Sequence, residues 1–256
     1  MTLSTPYFQT LILIFVRAMG FILAAPVLSS RLIPSQVKIG LCALLALLLA
    51  PTDPARLAAL PSDMISFAFI VAQELAVGSL VGLTSNLVFS ALQMAGQLLG
   101  LSIGFSMAHL FDPLSGTQQS NLDQMFLIVG TLVFLALDGH HGLVLGLGQS
   151  LRAVAPGTFV FSGQTAQSML VLTNQLFGLA LRIALPIVGT LLLTDVALAL
   201  ISRIMPQMSI FFIEMPLKIA LGLFTLALAL PGMIAIFVRL TSSMQLNVLN
   251  VLGKAP

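Results

Sequence analysis

Arg17 and Glu74 are opposite charges, and each sits well inside a long apolar run of the sequence. An unpaired charge among apolar side chains is costly, so the two residue types invite pairing. A paired carboxylate could serve as one step of a proton or ion relay. The plainer reading is a structural tie between two helices, since a relay wants a chain of ionisable groups and Glu74 has no acidic neighbour in sequence.

Asp138, His140 and His141, within LDGHHG at 137–142, are the residue types of metal or acid–base chemistry. Adjacent histidines point to different sides of a helix, however, and no third ligand lies nearby. A helix-ending Asp-Gly turn with imidazoles at an interface accounts for them more simply. The single cysteine, Cys42, lies in a Leu/Ala run and allows neither a disulfide nor a thiolate metal site within one chain. There is no nucleophile elbow, phosphate-cradling glycine loop or metallopeptidase pattern. The sequence therefore offers no catalytic, cofactor-binding or metal set, and a non-enzymatic role is expected.

Two further stretches could act through contact. Between the apolar runs Ile183–Ile201 and Leu217–Val238 lie Arg203, Pro206, Gln207, Glu214, Pro216 and Lys218, with Asp195 deeper inside the first run. Pro206 cannot donate the bond that would continue the first helix, and Pro216 suits the first turn of the second. The stretch reads as the polar tip of a helical hairpin that meets a partner, a headgroup layer or a water-filled passage. Earlier, residues 105–124 mix Phe105, Met107, Leu110 and Phe111 with Asp112, Pro113 and Gly116. Irregular backbone beside membrane-depth helices is tolerated only where protein or water covers it. Flexible Met and Phe side chains suit a surface that seals against varied shapes. An ordinary solvent loop explains the Gln and Ser residues there, but explains the apolar cluster less well.

The elements that must hold these residues follow from composition. Of 256 residues, 58% are hydrophobic and only 7% charged, against about a quarter charged in soluble domains. An all-α integral membrane protein is expected, built as a set of helical hairpins, because helices satisfy their own backbone in hydrocarbon. The excess of two positive charges describes very few charges and implies no nucleic-acid partner. No cleavable signal peptide is expected, since no Lys or Arg precedes the first apolar run and Arg17 interrupts it. Spans are expected at Phe8–Leu28 and Met64–Leu92, with shorter runs at Ile39–Ala50 and Met125–Leu137. Gly78–Gly82, Gly96–Gly100–Gly104 and Gly142–Gly146 repeat at four-residue spacing, which lets helix backbones approach closely. Such packing could be within the chain or between chains.

Two features resist a plain bundle. Several apolar runs are too short to cross a bilayer of about 30 Å hydrocarbon thickness. If Leu217–Val238 spans, Arg203 and Lys218 fall on one side and Arg239 and Lys254 on the other, against the positive-inside bias. A hairpin tip shielded inside a larger assembly removes the conflict. A small-solute secondary transporter is the rival reading, but it should show inverted repeats, and no convincing repeat is present.

With these residues in place the chain resembles the FliR family, a component of the flagellar type III protein-export gate. The likeness covers nearly the whole chain. It rests on Arg17–Ala18–Met19–Gly20 followed by Pro26 and Pro34, on Glu74 with Gly78 and Gly82, and on the Gly96/Gly100/Gly104 ladder. Asp112–Pro113, LDGHH at 137–141, Pro186 with Asp195, Arg203 to Met208, and Pro216–Leu217–Lys218 complete it. Subunits of virulence injectisomes share this architecture.

The resemblance implies one export-gate domain over residues 1–256, its earlier part similar to the P subunit and its later part, about 170–256, similar to the Q subunit. It implies assembly with FliP and FliQ homologues and other export-apparatus membrane subunits in the bacterial inner membrane, at the flagellar basal body. Unfolded flagellar proteins would pass through, with membrane lipids outside and no cofactor. Met107, Leu110, Phe111, Asp112, Pro113 and Gly116 would belong to a channel plug. Gly96, Gly100, Gly104, Arg203, Gln207, Glu214 and Lys218 would serve subunit packing, with Arg17 and Glu74 an intramembrane charge pair.

Overall fold

The computed structural model of the chain describes residues 5–50, 63–104, 121–205 and 211–252, which form helices and their turns. Among the described residues seven helices follow in order: α1 Thr5–Ala24, α2 Ser35–Leu49, α3 Met64–Ile103, α4 Asn121–Ala136, α5 Gly139–Ala153, α6 Gly163–Ile204 and α7 Phe211–Val251. Four of them, over Tyr7–Ala24, Met64–Ile103, Gly163–Ile204 and Phe212–Met244, are long and apolar enough to cross a membrane. A fifth crossing results if α4 and α5 count as one broken span. The protein is an all-α integral membrane protein.

Local chemistry sets the helix ends. The α1 turn closes with the Ala25 N–H donating to Phe21 O at 2.7 Å, and Pro26 has no N–H to continue it. The next residue, Val27, takes the left-handed conformation at φ 64°, which a β-branched side chain rarely adopts. Asp63 caps α3 through its carboxylate, which accepts from the Ser66 backbone N–H at 3.0 Å and the Ser66 hydroxyl at 2.9 Å. Asp138, also left-handed at φ 53°, separates α4 from α5. A helix-ending turn at Asp-Gly was legible in the sequence, and the backbone there has that form.

Three boundaries differ from the sequence reading. The second expected span does not end at Leu92, because α3 runs unbroken from Met64 to Ile103, through the glycine ladder. The first hairpin helix starts at Gly163, twenty residues before the apolar run Ile183–Ile201. The second starts at Phe211, so Pro216 lies inside α7 and not at its first turn. Its missing N–H forfeits one bond to the Phe212 carbonyl, a smaller loss than leaving several backbone groups unpaired beside hydrocarbon.

The chain forms two compact units, and the division falls inside α3, α6 and α7. In the first unit, residues 1–87, 138–173 and 241–256, α1 is the central element. It packs on α2 and α5, and buries Leu13, Ala18 and Phe21 completely. Its contact with α3 is backbone to backbone. A methyl on Gly20 would overlap the Leu75 carbonyl oxygen, one on Gly78 the Arg17 carbonyl oxygen, and one on Gly82 would come within 2.6 Å of the Phe21 carbonyl oxygen. The Gly78–Gly82 spacing therefore serves packing inside this chain.

In the second unit, residues 88–137 and 174–240, three aromatic rings form the centre. Phe89 of α3 meets Phe134 of α4 and Phe237 of α7 edge-on, with ring centroids 5.3 and 5.4 Å apart, within the favoured T-shaped range. Gly96 lies against α4, where a methyl would come within 2.7 Å of Asp123 Cα. Gly222 of α7 receives the Ile103 side chain in the same manner.

Candidate functional site

The charged centre of the first unit is assembled by helix stripes. Glu74 precedes Gly78 by four residues and Arg17 precedes Gly20 by three, so each charge shares a helix face with the glycine that permits close approach. Both side chains are fully buried. Arg17 Nε donates to Glu74 Oε2 at 2.5 Å and Nη2 donates to Glu74 Oε1 at 2.9 Å. This is the bidentate fork that makes Arg–carboxylate pairs strong and directional.

The remaining donors do not go to waste. Arg17 Nη1 donates to Ser150 O at 3.2 Å and to Val154 O at 2.9 Å at the C-terminal end of α5, where Ser150 O also accepts the Val154 N–H at 2.9 Å. Glu74 Oε1 also accepts from the Gly157 backbone N–H at 2.8 Å. Gly157 stands at φ 80°, a conformation that glycine adopts without penalty. One buried ion pair thus joins α1, α3, the C-terminus of α5 and the turn after it. Chemically, the arrangement supplies charge neutralisation and four-way cross-linking.

A second charged cluster closes the hairpin of the second unit. Lys218 of α7 donates to Asp195 Oδ1 of α6 at 2.7 Å and to Glu214 Oε1 of its own helix at 2.8 Å. Lys218 is largely covered, whereas the two carboxylates stay partly exposed. Arg203 is exposed in the last turn of α6. Gln207 and Pro206 lie outside the described residues, as do Met107, Leu110, Phe111, Asp112, Pro113 and Gly116 of the expected plug.

The other sequence candidates sit apart. Gly100 is buried in α3. Gly104 ends that helix at φ 96° beside the Met215 sulfur. Asp138 and His140 are exposed, 4.0 Å apart at the α4–α5 break. No group of three or more metal-ligating side chains occurs among the described residues. Sequence reasoning missed the carbonyls of Ser150 and Val154 and the Gly157 N–H, because backbone groups carry no residue-type signal. It also missed that Asp195 and Lys218 pair, although both were visible as charges flanking one hairpin.

The family model described as bacterial export proteins, family 1, matches residues 8–244. The chain belongs to that family. Its relatives include the flagellar biosynthetic protein FliR of Pectobacterium carotovorum subsp. carotovorum, 33% identical over 85% of this chain and 82% of the relative. FliR of Aquifex aeolicus is 31% identical over 89% of this chain and 88% of its own length. FliR of Bacillus subtilis is 28% identical and covers 96% of both.

Proposed function

We propose that the chain is a structural, channel-forming subunit of the flagellar type III export gate in the bacterial inner membrane. In this reading it assembles with FliP and FliQ homologues at the flagellar basal body and passes unfolded flagellar proteins. It works as a non-enzymatic scaffold, with other components supplying the energy. The observation that carries the reading is family membership over residues 8–244, joined to flagellar biosynthetic relatives that match most of their own length. The all-α membrane architecture accords with it.

Within that proposal, residues 1–256 act as one gate domain, the later part from about residue 170 being similar to the Q subunit. Gly96, Gly100, Gly104, Arg203, Gln207, Glu214 and Lys218 support the packing of subunits. Met107–Gly116 closes the channel. Arg17 and Glu74 are a structural tie at membrane depth; the supporting observation is that Arg17 reaches two α5 carbonyls as well as the carboxylate. The decisive experiment is co-purification from membranes with tagged FliP and FliQ homologues, together with motility after deletion and complementation. A stable three-component complex and a non-motile deletion strain are expected. A chain that purifies alone from motile deletion cells overturns the proposal.

A further inference from the structure

The turn between α1 and α2 carries two cations and no anion. Residues 25–50 contain Arg31 and Lys38 and no Asp or Glu. The turn is tightly built. Lys38 Nζ donates to Ser29 O at 3.0 Å, the Leu32 N–H donates to Ser30 Oγ at 3.2 Å, and the Ile33 N–H donates to Ser30 O at 3.3 Å. Lys38 is thereby folded back over the turn that carries Arg31. Its ammonium has three donors, of which that bond uses one. Arg31 is exposed, and Leu32 beside it is 92% exposed.

The helix that follows has a gradient along its axis. Its polar and basic residues, Ser35, Gln36 and Lys38, lie at the N-terminal end beside exposed Val37 and Ile39, whereas the exposed side chains toward the C-terminal end, Leu44, Leu47 and Leu48, are all apolar. Only Cys42, Leu45 and Ala46 of α2 are buried. Fifteen residues rise about 22 Å, short of the roughly 30 Å of hydrocarbon in a bilayer. A helix of this kind enters from one face of the bilayer without reaching the headgroups of the other. Its polar, cationic end then falls at headgroup level, and its leucines fall among acyl chains.

We propose that Arg31 and Lys38, with Leu32 between them, bind the phosphate of an anionic phospholipid headgroup and seat the N-terminal end of α2 at that face. Charge complementarity selects the occupant: two cations in a stretch, 25–50, that has no acidic residue match an anionic surface, at about 1 kcal/mol per basic residue, equivalent to about fivefold. A protein partner would have to bring its own acidic group to the same turn. The inference stands apart from the export reading and needs only a membrane.

The chain has no tryptophan, so Leu32→Trp places a single indole on the exposed tip. The full-length variant is reconstituted in phosphatidylcholine vesicles containing phosphatidylglycerol, and one lipid or the other is brominated near the headgroup end of its acyl chains. Brominated phosphatidylglycerol should quench more strongly than brominated phosphatidylcholine at equal mole fraction. Arg31→Gln and Lys38→Gln should each reduce that preference about fivefold, and Lys38→Arg should keep it. Equal quenching by the two lipids overturns the proposal. So does an indole that neither reaches, which would mean that protein covers the turn. A preference abolished by millimolar inorganic phosphate also overturns it, in favour of a free-anion site.

Discussion

Gly78 packs against the main-chain carbonyl of Arg17, one turn along α3 from the carboxylate that the same arginine holds. The glycine contact and the ion pair are therefore one device. The first sets the helix separation at which the second can form. Because a methyl at Gly78 meets backbone atoms on α1, no side-chain rotation can relieve it.

Gly78→Ala should consequently cost more than an ordinary small-to-large change, at or above the upper end of about 1–3 kcal/mol. Gly189, within α6, has open space at its Cβ position, and Gly189→Ala should stabilise by about 0.5–1 kcal/mol. Thermal denaturation of the two purified variants checks the contrast. Equal behaviour would mean that the α1–α3 contact is not that close.

Neutralising either member of the buried pair strands the other, a loss of about 3–5 kcal/mol. Arg17→Met combined with Glu74→Leu should recover much of it, because two apolar side chains leave no buried charge. The α5 carbonyls lose a donor even so, and recovery should stop short of wild type. Folded yield in detergent measures all three variants. Normal yield with failed export for Glu74→Gln would instead identify a proton relay.

Lys218→Met leaves Asp195 and Glu214 facing each other without their shared cation. It should destabilise the hairpin more than Asp195→Asn or Glu214→Gln, each of which leaves Lys218 one partner. The single carboxylate changes should cost at most about 1 kcal/mol, because these groups are partly solvated. A double-mutant cycle on Asp195 and Lys218 gives the coupling energy, and zero coupling would sink this account.

Asp63 should make the first turn of α3 sensitive to acid. The Ser66 backbone N–H and hydroxyl hold its carboxyl below the usual carboxylate range. A depressed folded-state pKa contributes stability above the unfolded value of about 3.9, and that stability is lost as pH falls through the folded value. Protection of the Ser66 amide against hydrogen exchange should accordingly be flat from neutral pH to about 5, and should drop below about 4. Asp63→Asn should remove the pH dependence and keep most of the cap. An unchanged acid profile in that variant would count against it.

Deleting residues 110–115 in the assembled gate should raise leakage of ions or small solutes and leave assembly intact. In the proposed plug, Leu110 and Phe111 would exclude water as hydrophobic constrictions do. Conductance or solute uptake in vesicles holding the purified complex measures it. Unchanged permeability would remove the plug from the proposal without touching the rest.

Helix content and membrane character were legible because continuous apolar runs leave the backbone no alternative. Arg17 and Glu74 stood out because a charge in such a run is rare and must be answered. What answered them was partly hidden. Ser150, Val154 and Gly157 contribute backbone groups, whose direction depends on where α5 stops, not on side-chain type. The boundaries at Gly163 and Phe211 were misread for a related reason. Polar residues such as Gln164 and Gln167, and a proline such as Pro216, look like loop by residue type, yet the helical backbone runs through them while they stay exposed.

The distances along the chain inside the buried cluster also bear on how the protein is made. Arg17 leaves the ribosome ahead of its partners: Glu74 follows 57 residues later, and the carbonyls of Ser150 and Val154 follow 133 and 137 residues later. At about 5–20 residues per second, α1 waits seconds for its counter-charge and longer for the rest. A lone arginine at the centre of an inserting helix costs about 2.5–3.5 kcal/mol, which the apolar remainder of α1 must offset. α1 therefore enters the bilayer provisionally, and α3 fixes it in place as it arrives.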